Sequence, residues 1–433
     1  MEHYDQAETW DRETIERVQL VRLKNTLRQA LRSPFYKELL GQAGVSPENM
    51  RSLADLRQIP FTSKEHLRAA YPYGLVSVAK DELVRFHASS GTTGASVAVC
   101  HTQDDLDCWA DLMARCMYMV GIRRGDVFQN ISGYGLFTGG LGIHSGAERL
   151  GCLTIPAGTG NTRRQVKLLR DMRVTALHII PSYALYLGNA LLEEGEDPRA
   201  LPPRIALVGA EPHTEEARRR IEDLLGLKAY NSYGLSEMNG PGVAFECREQ
   251  GGMHVWEDAY IAEIVDPRSG EPVPDGEQGE LVMTTLCRRG MPIIRFRTRD
   301  LTSFLQGDCP CGRKHRRLAR IAGRVDDMLI IKGCNIYPMQ VEQILMSFRE
   351  VGENYLIVLE NEGGMDRMRV QVEVRSEYFV DDMRVLTALQ RKIANRLRDE
   401  ILVTPKVDLV QQNSLPRAEG KARRVEDRRH AGI

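Results

Sequence analysis

The stretch that most restricts what this chain can become is His87-Ala88-Ser89-Ser90-Gly91-Thr92-Thr93-Gly94-Ala95. It lies between Val84-Arg85-Phe86 and Val97-Ala98-Val99, two short runs that read as strands. Glycine lets a backbone bend until several N–H groups face one concavity, a nest that suits phosphate oxygens. The Ser and Thr hydroxyls add donors that carry no charge. A plain Gly/Ser/Thr hairpin turn is the other reading of such a composition. No Lys follows the second glycine and no helix-forming run does, so the stretch is not a GxxxxGK[ST] P-loop and a kinase-like NTPase site is set aside.

Beyond this loop, strand and helix patterns alternate. Residues 104–120 form an amphipathic helix pattern, 126–131 a strand, and 133–142, with its run of glycines, a loop. Strands at 152–155, 176–180 and 205–208 alternate with helices at 162–172 and 215–225. This order predicts an α/β fold with a mostly parallel sheet covered by helices, its ligands beyond the C-terminal strand ends. Upstream, 14–40 has helical apolar spacing broken near Pro34, and Thr62 or Ser63 caps a short helix. After Gly240 the pattern becomes a small β unit, with strands at 260–266 and 279–285 around a Pro/Gly turn. The glycine-led, polar Gly323-Arg324-Val325-Asp326-Asp327 marks a boundary, so two domains are expected, 1–323 and 324–433. The second reads as a compact α+β unit with helices at 339–347 and 382–401 and strands near 355–359 and 368–374.

At 433 residues the chain is long for one core. Its 58 basic and 59 acidic side chains leave a net charge of −1, which gives no global field for nucleic acid or an acidic membrane. No stretch approaches the length of apolar residues that spans a bilayer, and the polar N-terminus lacks the layout of a signal peptide. Most of the nine cysteines stand singly in apolar contexts, as in a reduced, cytoplasmic protein. Cys309-Pro310-Cys311-Gly312 is the exception. Its C-x-C-G spacing makes a knuckle that can bind one metal, and Cys247 with His254 could close a Cys₃His structural zinc site. Two reduced surface thiols are the alternative.

Taken in order, the chain carries SSGTTG at Ser89, GAEP at Gly209, YNSYGLSE at Tyr230, RTRD at Arg297, GRVDDMLIIKG at Gly323 and EGKARR at Glu419. Together these resemble the adenylate-forming (acyl-CoA synthetase) superfamily. YGLFTGGLGIHSGAERLG, YGLSEMNGPGVAFEC and GRVDDMLIIKGCNIYP are closest to the phenylacetate–CoA ligases. The resemblance covers residues 60–429. It implies a large α/β domain, a small mobile α+β domain, and a ligase using ATP, Mg²⁺ and coenzyme A. A carboxylate first attacks the α-phosphate to give an acyl-adenylate and pyrophosphate; the coenzyme A thiolate then displaces AMP.

The resemblance also implies roles. Ser89, Ser90, Gly91, Thr92, Thr93 and Gly94 would hold the β- and γ-phosphates, although Ala95-Ser96-Val97 stands where the family usually has a lysine. Gly209, Ala210, Glu211, Pro212, Asn231, Ser232, Tyr233 and Gly234 would line the nucleotide, with Tyr233 against adenine. Glu237 would bind the Mg²⁺ that bridges the phosphates; read alone, it is a carboxylate at a helix start after Ser236. Asp300 would accept from the ribose hydroxyls, or else be an ordinary Arg–Asp surface pair. Arg324 would reach the same region, Asp326 would be the hinge, and Lys421 would span the carboxylate and the α-phosphate, although bare it reads as a solvated tail lysine. Tyr134, Phe137, Gly139, Ala210 and Pro241 would form the wall of the acid pocket, and the low bulk of the glycines suits a flat ring. The expected substrate is an aryl or arylacetic acid, and a homodimer is an assembly open to the chain. Transfer to a carrier protein or other acceptor, or a non-catalytic nucleotide-binding regulator, are the alternatives.

Overall fold

The computed structural model describes residues 3–89, 97–331, 334–362, 365–380, 382–416 and 424–429. Two compact units divide the chain. One comprises the residues up to Ile179, Pro202–Ala210 and Tyr230–Arg320; the other comprises Ile180–Leu201, Glu211–Ala229 and the residues from Ile321 on.

In the first unit the local signals act as read. The helix Arg12–Ala30 starts where the Asp11 side chain accepts from the Thr14 N–H. A second helix, Pro34–Gln42, begins at the proline, whose missing N–H costs nothing in a first turn. Ser63 caps Lys64–Ala69 by accepting from the His66 N–H. Arg85–Ser89 and Val97–His101 pair antiparallel, from Arg85 opposite His101 to Ser89 opposite Val97. The residues between those strands lie outside the described ones.

The large sheet has nine strands in the order Phe304–Leu305, Arg317–Leu318, Met253–Val255, Gly240–Glu246, Lys228–Leu235, Ile205–Gly209, Ala176–Ile179, Val127–Asn130 and Leu153–Ile155. The last four are parallel, as the alternation predicts. The part from Lys228 on is antiparallel. Its first connections are too short to hold a crossover helix, and only antiparallel strands can be joined that way. Tyr260–Val265, Gly279–Thr285 and Phe296–Thr302 make a separate antiparallel sheet, the expected small β unit.

One local reading needs correction. The glycine run at 133–142 is not all loop: a helix, Thr138–Leu150, begins inside it. Glycine is a poor helix former, but here it is required by close packing. A Cβ on Gly142 would overlap the Trp109 indole, and one on Gly146 would overlap the Met113 Cβ. Both targets lie on the helix Gln103–Val120, so the glycines let two helices approach beyond what alanine permits. The helix Pro181–Glu193, which also starts at a proline, had no counterpart in the sequence reading.

The second unit holds a four-stranded sheet in the order Lys406–Gln411, Met365–Val374, Val351–Glu362, Val425–Asp427. The central pair is antiparallel and both outer strands are parallel to their neighbours. The helix Met383–Ile401 buries Leu389, Ile393, Leu397 and Ile401, one residue per turn, against a core that includes Ile357, Leu359, Val370 and Val372.

Gly142→Ala should destabilise the protein by about 1–3 kcal/mol, the usual penalty for overpacking. Urea unfolding should show a lower midpoint at an unchanged slope. Wild-type stability would mean that the two helices have room to part.

Candidate functional site

The hairpin that carries Ser89 is fixed from its flank. The Ala88 N–H donates to the Leu136 carbonyl at 2.9 Å, and His87 Nδ1–H donates to the same oxygen at 3.1 Å. Burial holds the His87 pKa below the ordinary imidazole value, so the ring is neutral. Ser90, Gly91, Thr92, Thr93 and Gly94 lie outside the described residues, as does Lys421.

Leu136 leads into the expected acid wall. Tyr134 is half-buried, and its hydroxyl accepts from Asn130 Nδ2 at 3.0 Å and lies 3.2 Å from His144 Nδ1. The polar end of the ring is thereby engaged. Phe137 is exposed and stands as the residue before the helix Thr138–Leu150, where Gly139 has open space around it. Thr138 lies against Gly240, and the Pro241 carbonyl accepts from Trp109 Nε1 at 2.8 Å. The segments around 137–142 and 236–242 therefore meet on the helix Gln103–Val120.

Glu237 lies in a short turn, Ser236–Met238, that follows the strand Lys228–Leu235. It is 5% exposed, and among the described residues the cation that reaches its carboxylate is Lys64, with Nζ 3.8 Å from Oε1, beyond hydrogen-bond length. Thr62 places Lys64: its N–H donates to the Arg295 carbonyl and its own carbonyl accepts from the Arg297 N–H, both at 2.9 Å. Sequence reasoning missed Lys64, reading Ser63 only as a cap. A lysine in a helix's first turn opposes the helix dipole, and that was the available signal. It also missed Arg288, buried with Nη1 donating to the Glu237 carbonyl at 2.6 Å.

Tyr233 and Asp300 come together: the phenol donates to Asp300 Oδ2 at 2.6 Å, and both are buried. Asn231 donates its N–H to Glu246 at 2.7 Å, and Gly209 lies so near Ser232 that a Cβ would stand 2.6 Å from the Ser232 carbonyl oxygen. A Cβ on Gly234 would overlap the Gly240 carbonyl oxygen. Ala210 adopts φ 68°, a left-handed conformation uncommon for alanine, which marks the GAEP turn as strained. In the second unit, Glu211 accepts from the Ser182 N–H and hydroxyl at 3.2 and 3.0 Å, where a negative charge meets the start of the helix Pro181–Glu193. Also in that unit, Arg324 pairs with Asp326 through two hydrogen bonds of 2.9 and 2.8 Å.

The four candidate metal ligands converge. Cys247, His254, Cys309 and Cys311 are all buried, and their ligand atoms lie within 4.8 Å of one another. Cys247 and Cys309 sulfurs are 3.6 Å apart, and Cys311 Sγ is 3.4 Å from His254 Nε2. His254 Nδ1–H donates to the His315 carbonyl at 3.2 Å, which turns Nε2 toward the sulfurs. A hydrogen bond from Cys247, working against burial and helped by His254, holds the Cys311 thiol far below the ordinary thiol range. The N-terminal segment is tied to this knuckle. Glu8, fully buried, pairs with the buried Arg313 two residues past Cys311 and accepts from the N–H groups of Tyr4 and Asp5 at 2.9 Å.

With this geometry in hand, the likeness to known proteins is direct. Residues 24–287 match the family model for AMP-binding enzymes, and residues 333–429 match that for the AMP-binding enzyme C-terminal domain. A phenylacetate–coenzyme A ligase of Thermus thermophilus is 44% identical over 99% of this chain and 100% of its own length. That of Escherichia coli is 41% identical over 98% of both. A crystal structure of 2-hydroxyisobutyryl-CoA ligase in the postadenylation state, 31% identical, superposes with a TM-score of 0.93 over 98% of this chain and 92% of that one. Fold and matched domains are those of adenylate-forming enzymes. Within that class, the chain belongs to the phenylacetate–CoA ligase family. It is an acid–thiol ligase that adenylates a carboxylic acid with ATP and transfers the acyl group to coenzyme A. Among the described residues, no helix is long and apolar enough to cross a membrane.

Glu8→Ala should leave Arg313 as an unpaired buried cation and cost about 3–5 kcal/mol. Denaturant unfolding checks this, and a loss below about 1 kcal/mol, the size of an exposed pair, would mean that the segment is not held as described.

Proposed function

We propose that the acid is an aryl or arylacetic acid such as phenylacetate. The observation that carries this is the presence of phenylacetate–coenzyme A ligases, at 41–44% identity, among full-length relatives. Tyr134 agrees with it: its hydroxyl is engaged by Asn130, which leaves an apolar ring face for a flat substrate.

Each residue's part in the reaction follows from its chemistry. Tyr233 presents a π face to adenine, while its hydroxyl, donating to Asp300, orients that carboxylate toward the two ribose hydroxyls. Gly209, Ala210, Glu211, Pro212, Asn231 and Ser232 shape the turn beside the base, and Arg324 reaches the ribose once released from Asp326. Ser89–Gly94 cradle the β- and γ-phosphates. Glu237 is an oxygen donor of the kind Mg²⁺ prefers, buried and beyond hydrogen-bond length from its lysine, so it fits as the protein ligand of that ion. When bound, Mg²⁺ neutralises phosphate charge. Lys421 stabilises the charge gathering as the carboxylate oxygen bonds to the α-phosphorus and the bond to pyrophosphate breaks. In the second step the coenzyme A sulfur bonds to the acyl carbon as the bond to AMP breaks. Division at 323/324, with a hinge at Asp326, lets one cleft serve both steps.

The Cys₃His set fits a structural Zn²⁺. With Zn–S near 2.3 Å and Zn–N of about 2.0–2.1 Å, the edges of a tetrahedron are about 3.5–3.8 Å. The sulfur–sulfur separation of 3.6 Å and sulfur–nitrogen separation of 3.4 Å are close to that. The His254–His315 hydrogen bond is the outer contact that a zinc-bound imidazole needs.

A panel of aryl and short aliphatic acids, assayed for ATP-dependent AMP release with and without coenzyme A, tests the substrate reading. Turnover confined to aliphatic acids would end it. Lys421→Ala should abolish adenylation but leave transfer from a supplied acyl-adenylate largely intact, because the lysine acts only in the first step. Equal loss of both would remove it from that role.

Metal analysis of protein never exposed to chelator should return about one equivalent of zinc, as four protein ligands make one closed site. Cys311→Ser should lower metal content and melting temperature together. Zinc-free protein of full stability would leave four reduced side chains.

A further inference from the structure

The turn that carries Glu237 is held from beneath by a residue outside the sequence motifs. We propose that Arg288 is a positioning residue for the acidic turn, setting the Glu237 carboxylate for its divalent cation by gripping the backbone of Glu237 itself. This rests on Glu237 being the Mg²⁺ ligand.

Arg288 is 3% exposed. Its Nη1 donates to the Glu237 carbonyl at 2.6 Å, and Nη2 lies 3.5 Å from the carbonyl of Cys100 on the strand Val97–His101. One guanidinium therefore spans the turn and the second strand of the hairpin that brackets the phosphate-loop sequence. The next residue of the turn is held in the same way, since the Tyr260 hydroxyl donates to the Met238 carbonyl at 3.1 Å. Asn239 then reverses the chain at φ 78°. The backbone of Glu237 and Met238 thus faces buried donors, while the carboxylate faces Lys64.

The choice of arginine is informative. Among the described residues no carboxylate lies within ion-pairing distance of Arg288, the Asp105 carboxylate acts on it only from farther off, and its Nε has no hydrogen-bond partner. Burying a cation without a close counter-ion is costly, and a neutral donor would satisfy one carbonyl. What a neutral donor lacks is a rigid fork that reaches two elements at once. Lysine keeps the charge and loses the fork, so Arg288→Lys separates position from electrostatics.

The test compares two calorimetric titrations of the whole enzyme: α,β-methylene-ATP with saturating Mg²⁺, and AMP without added Mg²⁺. Arg288→Lys should weaken binding of the metal-loaded analogue about 10-fold, the scale of one hydrogen bond to a charged group, and leave AMP affinity nearly unchanged. Glu237→Gln should show the same selective loss. A mere folding defect in Arg288→Lys would weaken both ligands together, and that result would overturn the proposal. So would wild-type affinity for the metal-loaded analogue in Arg288→Lys while Glu237→Gln loses it, and in that case the Glu237 assignment would stand. Unchanged binding by Glu237→Gln would remove the Glu237 assignment and the proposal with it. Arg288→Met, which removes the charge and fork, should lose at least as much as the lysine variant; if it binds as wild type, the grip has no function.

Discussion

Four glycines converge on one face of the helix Gln103–Val120, and the placement of the site depends on their having no side chains. Gly142 and Gly146 press the helix Thr138–Leu150 onto Trp109 and Met113. Gly240 and Gly242 bring the strand after Glu237 onto the same two residues, where added Cβ atoms would stand 2.9 Å from Trp109 Cζ2 and 2.6 Å from Met113 Sδ. Gly240 and Gly242 also take φ of 110° and 98°, which other residues rarely adopt. The Trp109 indole N–H donates to the Pro241 carbonyl and fixes the height at which that strand passes. Interiors packed this tightly transmit displacement, so an added methyl on this face would move both the acidic turn and the wall that starts at Tyr134.

This explains which parts of the molecule were legible in the sequence. The cap at Ser63 acts within one helical turn, so residue type and spacing reveal it. The hairpin around residues 90–96 and the alternation up to Ile205 rest on local apolar patterning in the same way. The glycine run at 133–142 misleads because propensity alone makes glycine a loop signal, whereas its partners here are Trp109 on another helix and the backbone at Gly133. The antiparallel continuation of the large sheet was obscured because Tyr230–Glu237 reads as a motif before it reads as a strand.

The site divides along the same line. Cys309 and Cys311 are adjacent enough to announce a knuckle, Cys247 and His254 are named from the sequence as the residues that could close it, and the structure brings all four ligand atoms within 4.8 Å of one another. The residues proposed to line the nucleotide were legible only as an ordered set of motifs, since Tyr233 and Asp300 carry no local sign that one donates to the other. Lys64 and Arg288 belong to no motif. Their significance lies in partners far along the chain, and no periodicity encodes that.

The charged groups themselves show what is structure and what is left for a ligand. Arg115 and Asp258 pair at 2.8 Å, Arg295 and Glu263 at 2.9 Å, and Arg313 is locked to Glu8; all six are buried or nearly so, and each cation meets its carboxylate at hydrogen-bond distance. Such pairing is the condition on which charge is buried in a fold. Glu237 and Arg288 break that pattern. Among the described residues the carboxylate meets an ammonium at 3.8 Å, and the guanidinium donates to backbone carbonyls. Both are as deeply buried as the structural pairs, so weak pairing cannot be ascribed to solvent. Other buried carboxylates that lack an ion pair are held by hydrogen bonds, Asp105 by the N–H groups of Thr102, Arg289 and Gly290 and Glu342 by the Tyr355 hydroxyl, whereas Glu237 and Arg288 carry the incomplete pairing that the proposed nucleotide and its cation would complete. In that proposal, their incomplete pairing is the cost in stability of a site organised before its ligands bind.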